Sequence, residues 1–146
     1  MAETLGMLCD KLTIVKLKEY HTEDVSMLQN LSAQAHQLQA EIDEYVSMAF
    51  SGEVPASKLT FAANKVYKKE GNEVGEITGE IGEVFYKLAD VNCKLWHEQE
   101  KVYEFEAVAP EEKNTVVKKL AILNLERNKC IDAINNTLKS LVERQY

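Results

Sequence analysis

Four polar residues fall on helix positions that the hydrophobic pattern assigns to the core: Asp10, Asn92, Asn124 and Arg127. Each interrupts an apolar stripe that recurs with the 3.6-residue period of an amphipathic helix. A buried amide without a partner costs about 1–3 kcal/mol, and an unpaired buried charge costs more. Such residues usually contact one another, so the pattern predicts a polar cluster in which Arg127 pairs with an interior carboxylate, Asp10 being the best candidate.

Three kinds of role remain open for such a cluster: structural, ligand-binding and catalytic. It could fix the register of packed helices, or form an interface where these faces meet a second subunit. It could line a ligand pocket, or it could take part in catalysis. The residue types alone do not choose among them.

The apolar spacing predicts an all-α fold, a bundle of about four to five helices in a single domain over residues 1–146. Glycine, proline and capping residues set the expected boundaries. A first helical stretch covers 3–50 with a possible break near Thr22, a second 57–70 from an N-cap at Ser57 to a stop at Gly71, a third 72–106 and a fourth 110–143. Residues 58–69 could instead form a hairpin closing at Gly71-Asn72.

The helical wheel places further polar residues among apolar ones. The first helix is apolar on two sides, so we expect it to lie centrally, with Asp10 and His21 at least partly buried. In the third helix Asn92 and Gln99 lie in the middle of the apolar face. In the fourth, Asn135 and Val117 fall on the core stripe with Arg127.

Gly75, Gly79 and Gly82 fall on one narrow stripe of the predicted third helix. Each glycine costs roughly 1 kcal/mol against alanine in a helix interior. Close approach of another helix would compensate for this cost, and backbone room for a ligand is a second explanation. A third is that the segment is not helical until about Gly79.

Composition excludes several classes of protein. The 146 residues are 45% hydrophobic and 28% charged, typical of a globular domain. No apolar run approaches the ~20 residues of a membrane span, and the acidic N-terminus does not resemble a secretory signal. The spacing of the three cysteines, Cys9, Cys93 and Cys130, is typical of neither a disulfide framework nor a zinc site. We therefore expect them to be small buried hydrophobic residues, and we expect the protein in the cytoplasm, a reducing compartment.

The formal net charge of −7 argues against a nucleic-acid partner, because phosphate binding depends on clustered Lys and Arg. The charge is uneven along the chain. Residues 70–112 contain twelve acids and three lysines, whereas residues from 113 onward contain seven bases and three acids. The two segments could pack side by side, or each could carry a solvated face.

Two pairs of carboxylates, Glu41 with Glu44 and Glu80 with Glu83, lie on neighbouring helical positions. All-α nucleoside triphosphate pyrophosphohydrolases of the MazG type hold Mg²⁺ with such pairs on adjacent helices, since Mg²⁺ prefers oxygen ligands. The pairs are farther apart here than in that family, and the second lacks the closing Asp three residues later. Exposed helices also carry this spacing commonly.

Three segments resemble a bacterial all-helical domain-of-unknown-function family of the DUF4254 type. They are Leu5-Gly6-x-Leu8-x-Asp10-Lys11-Leu12-Thr13-Ile14 with Tyr20-His21, the Asn92-x-x-x-Trp96 stretch, and Asn124-x-x-Arg127-Asn128-x-x-Ile131-Asp132. Residues 40–80 depart from the family pattern. The resemblance implies no activity, but it groups nine residues into one set: Asp10, Lys18, His21, Asn92, Trp96, Asn124, Arg127, Asn128 and Asp132.

These observations favour a non-enzymatic binding protein whose polar cluster holds or sequesters a small anionic or nucleotide-like ligand. Arg127 and Lys18 would supply charge, Trp96 would supply an aromatic face, and no cofactor is expected. The alternatives are a Mg²⁺-dependent pyrophosphohydrolase and a structural or partner-binding oligomeric bundle. We expect a homo-oligomer in each case.

Overall fold

The computed structural model describes residues 3–60 and 75–145. Within these ranges four α-helices are present: α1 Leu5–His21, α2 Val25–Ser51, α3 Ile81–Tyr103 and α4 Pro110–Gln145. Short 3₁₀ turns occur at Ala56–Lys58 and Phe105–Ala107. The described residues contain no strand, so the predicted all-α bundle with long first and last helices is confirmed.

The break predicted near Thr22 separates α1 from α2. The Thr22 backbone N–H bonds the Lys18 carbonyl and ends α1, and the Asp24 side chain accepts a hydrogen bond from the Met27 backbone to start α2. Thr4 caps α1 in the same way through Met7. Such caps satisfy backbone N–H groups that have no partner inside the helix. Gly52, with φ +86°, ends α2 in the left-handed conformation.

The third helix begins nine residues later than predicted, at Ile81 instead of Asn72. Residues 75–80 are not helical, and Gly79 has φ +139°, a conformation that side chains rarely adopt. A Cβ added at Gly75 or Gly82 would meet no atom within 4 Å. Close approach of another helix is therefore the wrong explanation for these glycines, and the one in which the helix starts near Gly79 is confirmed.

The predicted helix over 57–70 is not found where the structure describes it. Ser57 lies inside the 3₁₀ turn instead of capping an α-helix, and Leu59 and Thr60 follow outside any helix. The backbone N–H groups of Lys58 and Leu59 bond the carbonyls of Pro55 and Ala56, three residues earlier, so the chain closes a 3₁₀ turn here instead of starting an α-helix. The remainder of this segment, including the alternative hairpin, lies outside the described residues.

The helices alternate in direction along the bundle. Gly6 bonds Asn135 and Asp10 bonds Arg127, so α1 and α4 are antiparallel. Helix α3 is antiparallel to α4, and α2 folds back along α1. Helix α1 packs against α2, α3 and α4, which confirms its predicted central position.

Most of the apolar core lies toward one end of the bundle. There the start of α1, the end of α2, the start of α3 and the second half of α4 converge on Leu59 and Leu88, both with 0% exposure. Helix α4 is unevenly buried: in 110–122 only Val116 is buried, whereas seven buried residues lie between Leu123 and Val142.

Three expected core residues are exposed. Gln99 and Val117 both face solvent, Val117 with 56% exposure. Both residues lie where α3 and α4 have few buried neighbours. A residue there can lie near the apolar stripe on the helical wheel and still face solvent. Cys93 is also exposed, whereas Cys9 and Cys130 are buried as expected.

No helix within residues 3–60 and 75–145 combines the length and the hydropathy that crossing a bilayer requires.

At Gly6 the backbone of α1 lies directly against the backbone of α4. A Cβ on Gly6 would lie 2.4 Å from the Ile131 carbonyl oxygen and 3.0 Å from Oδ1 of Asn135. The same Asn135 oxygen accepts a 2.8 Å hydrogen bond from the Gly6 backbone N–H. The contact therefore requires glycine at position 6.

We predict that Gly6→Ala lowers the free energy of unfolding by about 1–3 kcal/mol, because the methyl group forces α1 away from α4. Gly82→Ala is the matched control. Its Cβ meets nothing within 4 Å, so it should be neutral or stabilise by up to about 1 kcal/mol. Urea unfolding of both variants measures the difference, and equal midpoints would contradict the close-packing argument.

Candidate functional site

The predicted pairing of Arg127 with Asp10 is confirmed. The guanidinium of Arg127 binds the carboxylate side-on, through Nε to Oδ1 at 2.9 Å and Nη2 to Oδ2 at 2.5 Å. Asp10 is only 4% exposed, whereas the Arg127 side chain keeps 32% exposure. Two parallel charge-assisted bonds fix both the distance and the relative orientation of α1 and α4.

Helix α3 joins the same carboxylate through Asn92, which is 3% exposed. Its Nδ2 donates to Oδ1 of Asp10 at 2.9 Å and to Oγ1 of Thr13 at 2.6 Å. The Thr13 hydroxyl in turn donates to the backbone carbonyl of Asp10 at 2.8 Å. These four residues form one hydrogen-bonded network, which we call the Asp10 network: Asp10, Thr13, Asn92 and Arg127.

Thr13 belongs to this network but was not among the predicted site residues. It lies three residues after Asp10 on the same helix, so the two side chains are neighbours on its surface. A polar residue at this spacing from a buried carboxylate is the signal that would have identified it. Asn135, which the sequence also places on the core stripe of the fourth helix, is buried outside this network, where its side chain accepts a hydrogen bond from the Gly6 backbone N–H.

Helix α1 borders two grooves that described residues line. The first, the Arg127 groove, has a volume of about 750 Å³ and lies between α1, α2 and α4. The predicted site residues Asp10, Lys18, Arg127 and Asn128 line it. Gln34 and Glu41 of α2 form part of its opposite wall.

The second, the Trp96 groove, has a volume of about 700 Å³ and lies between α1 and α3. His21 stacks on Trp96 there, with ring centroids 4.7 Å apart and planes 20° from parallel. The Nδ1 atom of His21 donates to the Leu17 carbonyl at 2.8 Å. His21 is exposed, so its expected burial is wrong; it ends α1, where the chain turns and fewer helices cover it.

The predicted set of nine is therefore divided. Asp10, Asn92 and Arg127 touch one another, while His21 and Trp96 stack in the neighbouring groove. Asn124 and Asn128 donate to backbone carbonyls of their own helix, at Leu120 and Asn124 respectively. Asp132 lines a third depression, beside residues 76–79. The described residues therefore do not bring all nine predicted residues into one common pocket.

The two carboxylate pairs of the pyrophosphohydrolase hypothesis are dispersed. Glu41 accepts a hydrogen bond from Gln37 in the Arg127 groove, and Glu44 is exposed on α2. Glu80 precedes α3 and Glu83 lies in its first turn. Within the described ranges no three acidic, histidine or cysteine side chains are grouped so that they could hold a metal ion.

Glu98 is a buried carboxylate that sequence reasoning did not select. It is 5% exposed, and its Oε1 atom lies 3.3 Å from Nζ of Lys101 and 3.6 Å from Nζ of Lys119. Its other oxygen is buried without a hydrogen-bond partner in the described part of the chain. The wheel places position 98 beside Val91, inside the apolar face, which was the available signal.

Comparisons of this chain with protein-family models, with curated proteins and with solved structures find no match. The resemblance to the domain-of-unknown-function family stays a prediction.

The three cysteines should differ sharply in reactivity. Burial, with a smaller contribution from the Asp10 charge, raises the pKa of Cys9 to about 12. Burial also raises the pKa of Cys130 to about 11. The thiolate is the reactive form, so at pH 8 and low protein concentration a thiol reagent should label Cys93 alone. Three labels per native chain would contradict the burial of Cys9 and Cys130, and Cys93→Ser is the control.

We predict that Arg127→Met destabilises the protein by about 3–5 kcal/mol, because it leaves the buried Asp10 charge uncompensated. The double variant Asp10→Leu, Arg127→Met removes both charges and should lose less than Arg127→Met alone. Urea unfolding of the two single variants and the double variant measures this coupling. Additive losses would show that the two side chains do not stabilise each other.

Proposed function

We propose that this protein is a non-enzymatic binding protein that holds a small anionic ligand in the Arg127 groove. The observation that carries the proposal is the unused edge of the Arg127 guanidinium. Asp10 accepts hydrogen bonds from Nε–H and from one N–H of Nη2, and Nη1 donates to no residue in the described part of the chain. The Arg127 side chain keeps 32% exposure and lines a groove large enough for a small molecule.

Lys18 supports the same assignment. Three cations line the groove, but Lys11 pairs with Glu3 and Arg127 with Asp10. Lys18 forms no ion pair with the described residues, so its charge is available to a ligand. A guanidinium edge and an ammonium group in one groove suit a carboxylate or phosphate group.

The network behind Arg127 favours binding by holding the guanidinium in place. Asp10 fixes it through two bonds, and Asn92 and Thr13 fix Asp10 in turn. A side chain that is already ordered loses little rotamer freedom when a ligand arrives. The ligand therefore meets a preorganised donor instead of a flexible side chain.

The charged residues that line the Arg127 groove limit the class of ligand that it suits. Its three cations face the three acids Glu3, Asp10 and Glu41, so it carries no net charge. This balance suits a ligand with one anionic group and a hydrogen-bond donor for Glu41 better than a polyanion. Trp96 lies in the other groove, so the aromatic face that a nucleotide-like ligand would need is not beside these cations.

A structural or partner-binding bundle is the second candidate. It is favoured by the completeness of the Asp10 network, in which one buried carboxylate links three helices without requiring a ligand. Networks of this kind fix register in helical assemblies. The two candidates differ in whether the groove retains a small molecule.

Mass spectrometry of the molecules released when the purified protein is denatured would identify a bound ligand directly. Release of a stoichiometric small carboxylate or phosphate ester supports the binding proposal. An empty protein that also shows no thermal shift with a panel of small carboxylates, inorganic phosphate and nucleoside monophosphates contradicts it and favours the structural bundle.

We predict that Lys18→Ala reduces affinity for the binding member of that panel at least tenfold, because Lys18 is the unpaired cation among the described groove residues. Lys16→Ala is the matched control. Lys16 is also exposed on α1, but it lines the Trp96 groove and pairs with Glu19 at 3.6 Å. Calorimetric titration measures both variants, and equal losses of affinity would count against the Arg127 groove.

A further inference from the structure

Within the described residues, six charged side chains line the Arg127 groove: Glu3, Asp10, Lys11, Lys18, Glu41 and Arg127. Two of the three cations form ion pairs with two of the acids. The charges left over belong to Lys18 and Glu41, and neither forms an ion pair with a described residue. The groove therefore has one uncompensated positive charge and one uncompensated negative charge.

The two uncompensated charges lie toward opposite ends of the groove. Helices α1 and α2 are antiparallel and joined by a short link, so His21 lies roughly level with Val25. Counting back along both helices places Glu41 level with Leu5, about 20 Å from Lys18 along the helix axis. In a helix the Cα–Cβ bond leans toward the N-terminus, so on these antiparallel helices both side chains lean toward the middle of the groove.

The Arg127 guanidinium lies between these two ends, because its bonds to Asp10 hold it level with position 10 of α1. The backbone of Glu41 is about 8 Å away along the axis in one direction, and that of Lys18 is about 12 Å away in the other. The flexible four-carbon stem of lysine covers much of the longer distance. An anionic group bound to Nη1 of Arg127 would therefore be within reach of the Lys18 ammonium group.

The groove wall between Arg127 and Glu41 is apolar. By the same count along the helices, Met7 and Leu38 lie at heights between them, and both side chains are partly buried. Ile131, one helical turn beyond Arg127 on α4, lines the same stretch and is 4% exposed. An aliphatic part of a ligand would bury its surface here, whereas a charged group would lose hydration without gaining a partner.

Glu41 offers a partner for a cation at the far end of this apolar stretch. Its side chain is partly exposed, and its Oε1 atom accepts a 3.2 Å hydrogen bond from Nε2 of Gln37. Its other oxygen accepts no hydrogen bond from a described residue. Hydrogen bonds between two charged groups are stronger than those between neutral groups, so a protonated amine suits Glu41 better than a hydroxyl group.

We propose that the ligand of the Arg127 groove is an extended zwitterion. Its anionic group binds Arg127 and Lys18, its ammonium group binds Glu41, and a short aliphatic chain between them covers Met7 and Leu38. The inference rests on the proposed binding function and adds the ligand's second charge, its direction and its length. A simple anion would leave the Glu41 charge uncompensated, and an α-amino acid, whose two charges are adjacent, would reach only one end.

Calorimetric titration with matched straight-chain probes tests the second charge. The probe ω-aminohexanoate should bind about tenfold or more tightly than hexanoate, than hexylamine and than glycine, because it alone places opposite charges at both ends. Hexanoate binding as tightly as ω-aminohexanoate would overturn the zwitterion and leave the anion-binding function standing. No binding of any of these probes would also overturn the zwitterion, and the function itself would then fail only if the carboxylate and phosphate panel fails too.

Glu41→Gln tests which residue reads the ammonium group, since it keeps the shape of the side chain and removes its charge. This variant should bind ω-aminohexanoate about tenfold more weakly and hexanoate no more weakly than the wild-type chain. Glu44→Gln is the matched control, because Glu44 is exposed on the same helix and does not line the groove. An unchanged affinity of Glu41→Gln for ω-aminohexanoate, or an equal loss in both variants, would overturn the inference.

Discussion

A single carboxylate determines how three helices meet in this protein. Asp10 lies on the central helix α1, binds Arg127 of α4 by two hydrogen bonds and accepts another from Asn92 of α3. Removing a carboxylate and a guanidinium from water is costly, and only good geometry with further hydrogen bonds offsets that cost. The helices are therefore held at the relative heights where all of these bonds form together. A shift of one residue in any of the three would leave a buried polar group unpaired.

The grooves follow from this arrangement. Helix α2 packs mainly against α1, so it leaves a cleft toward α4 on one side, and α1 and α3 leave another on the other side. Arg127 reaches from the network into the first cleft, whereas Trp96 and His21 line the second. The polar network thus separates two surfaces of different chemistry, one polar and charge-balanced, the other largely apolar.

The sequence predicted the pairing of Asp10 with Arg127 because each residue interrupts an apolar stripe. A buried charge is costly unless an opposite charge lies beside it. Periodicity also predicted α1, α2 and α4 closely, since their caps are local. The predicted burial of His21, Gln99 and Val117 was wrong. A helical wheel gives the direction in which a side chain points, but not whether another helix lies beside that part of the helix. Helix α3 starts later than the predicted position 72 because glycines at helical spacing do not favour a helix by themselves, and only the alternative start near Gly79 agrees with the structure. The division of the nine residues between grooves depends on tertiary packing, which no local pattern contains.

The uneven burial of α4 has a consequence for the motions of the bundle. A helix opens locally at a free energy set by the contacts that its segment would lose. Between Leu123 and Val142 those contacts include the core and the Arg127 pair, but in 110–122 only Val116 is buried. One continuous helix therefore contains two dynamic regimes. Its amide hydrogens should exchange slowly in the second half and much faster in the first, with the transition close to the Asp10 network.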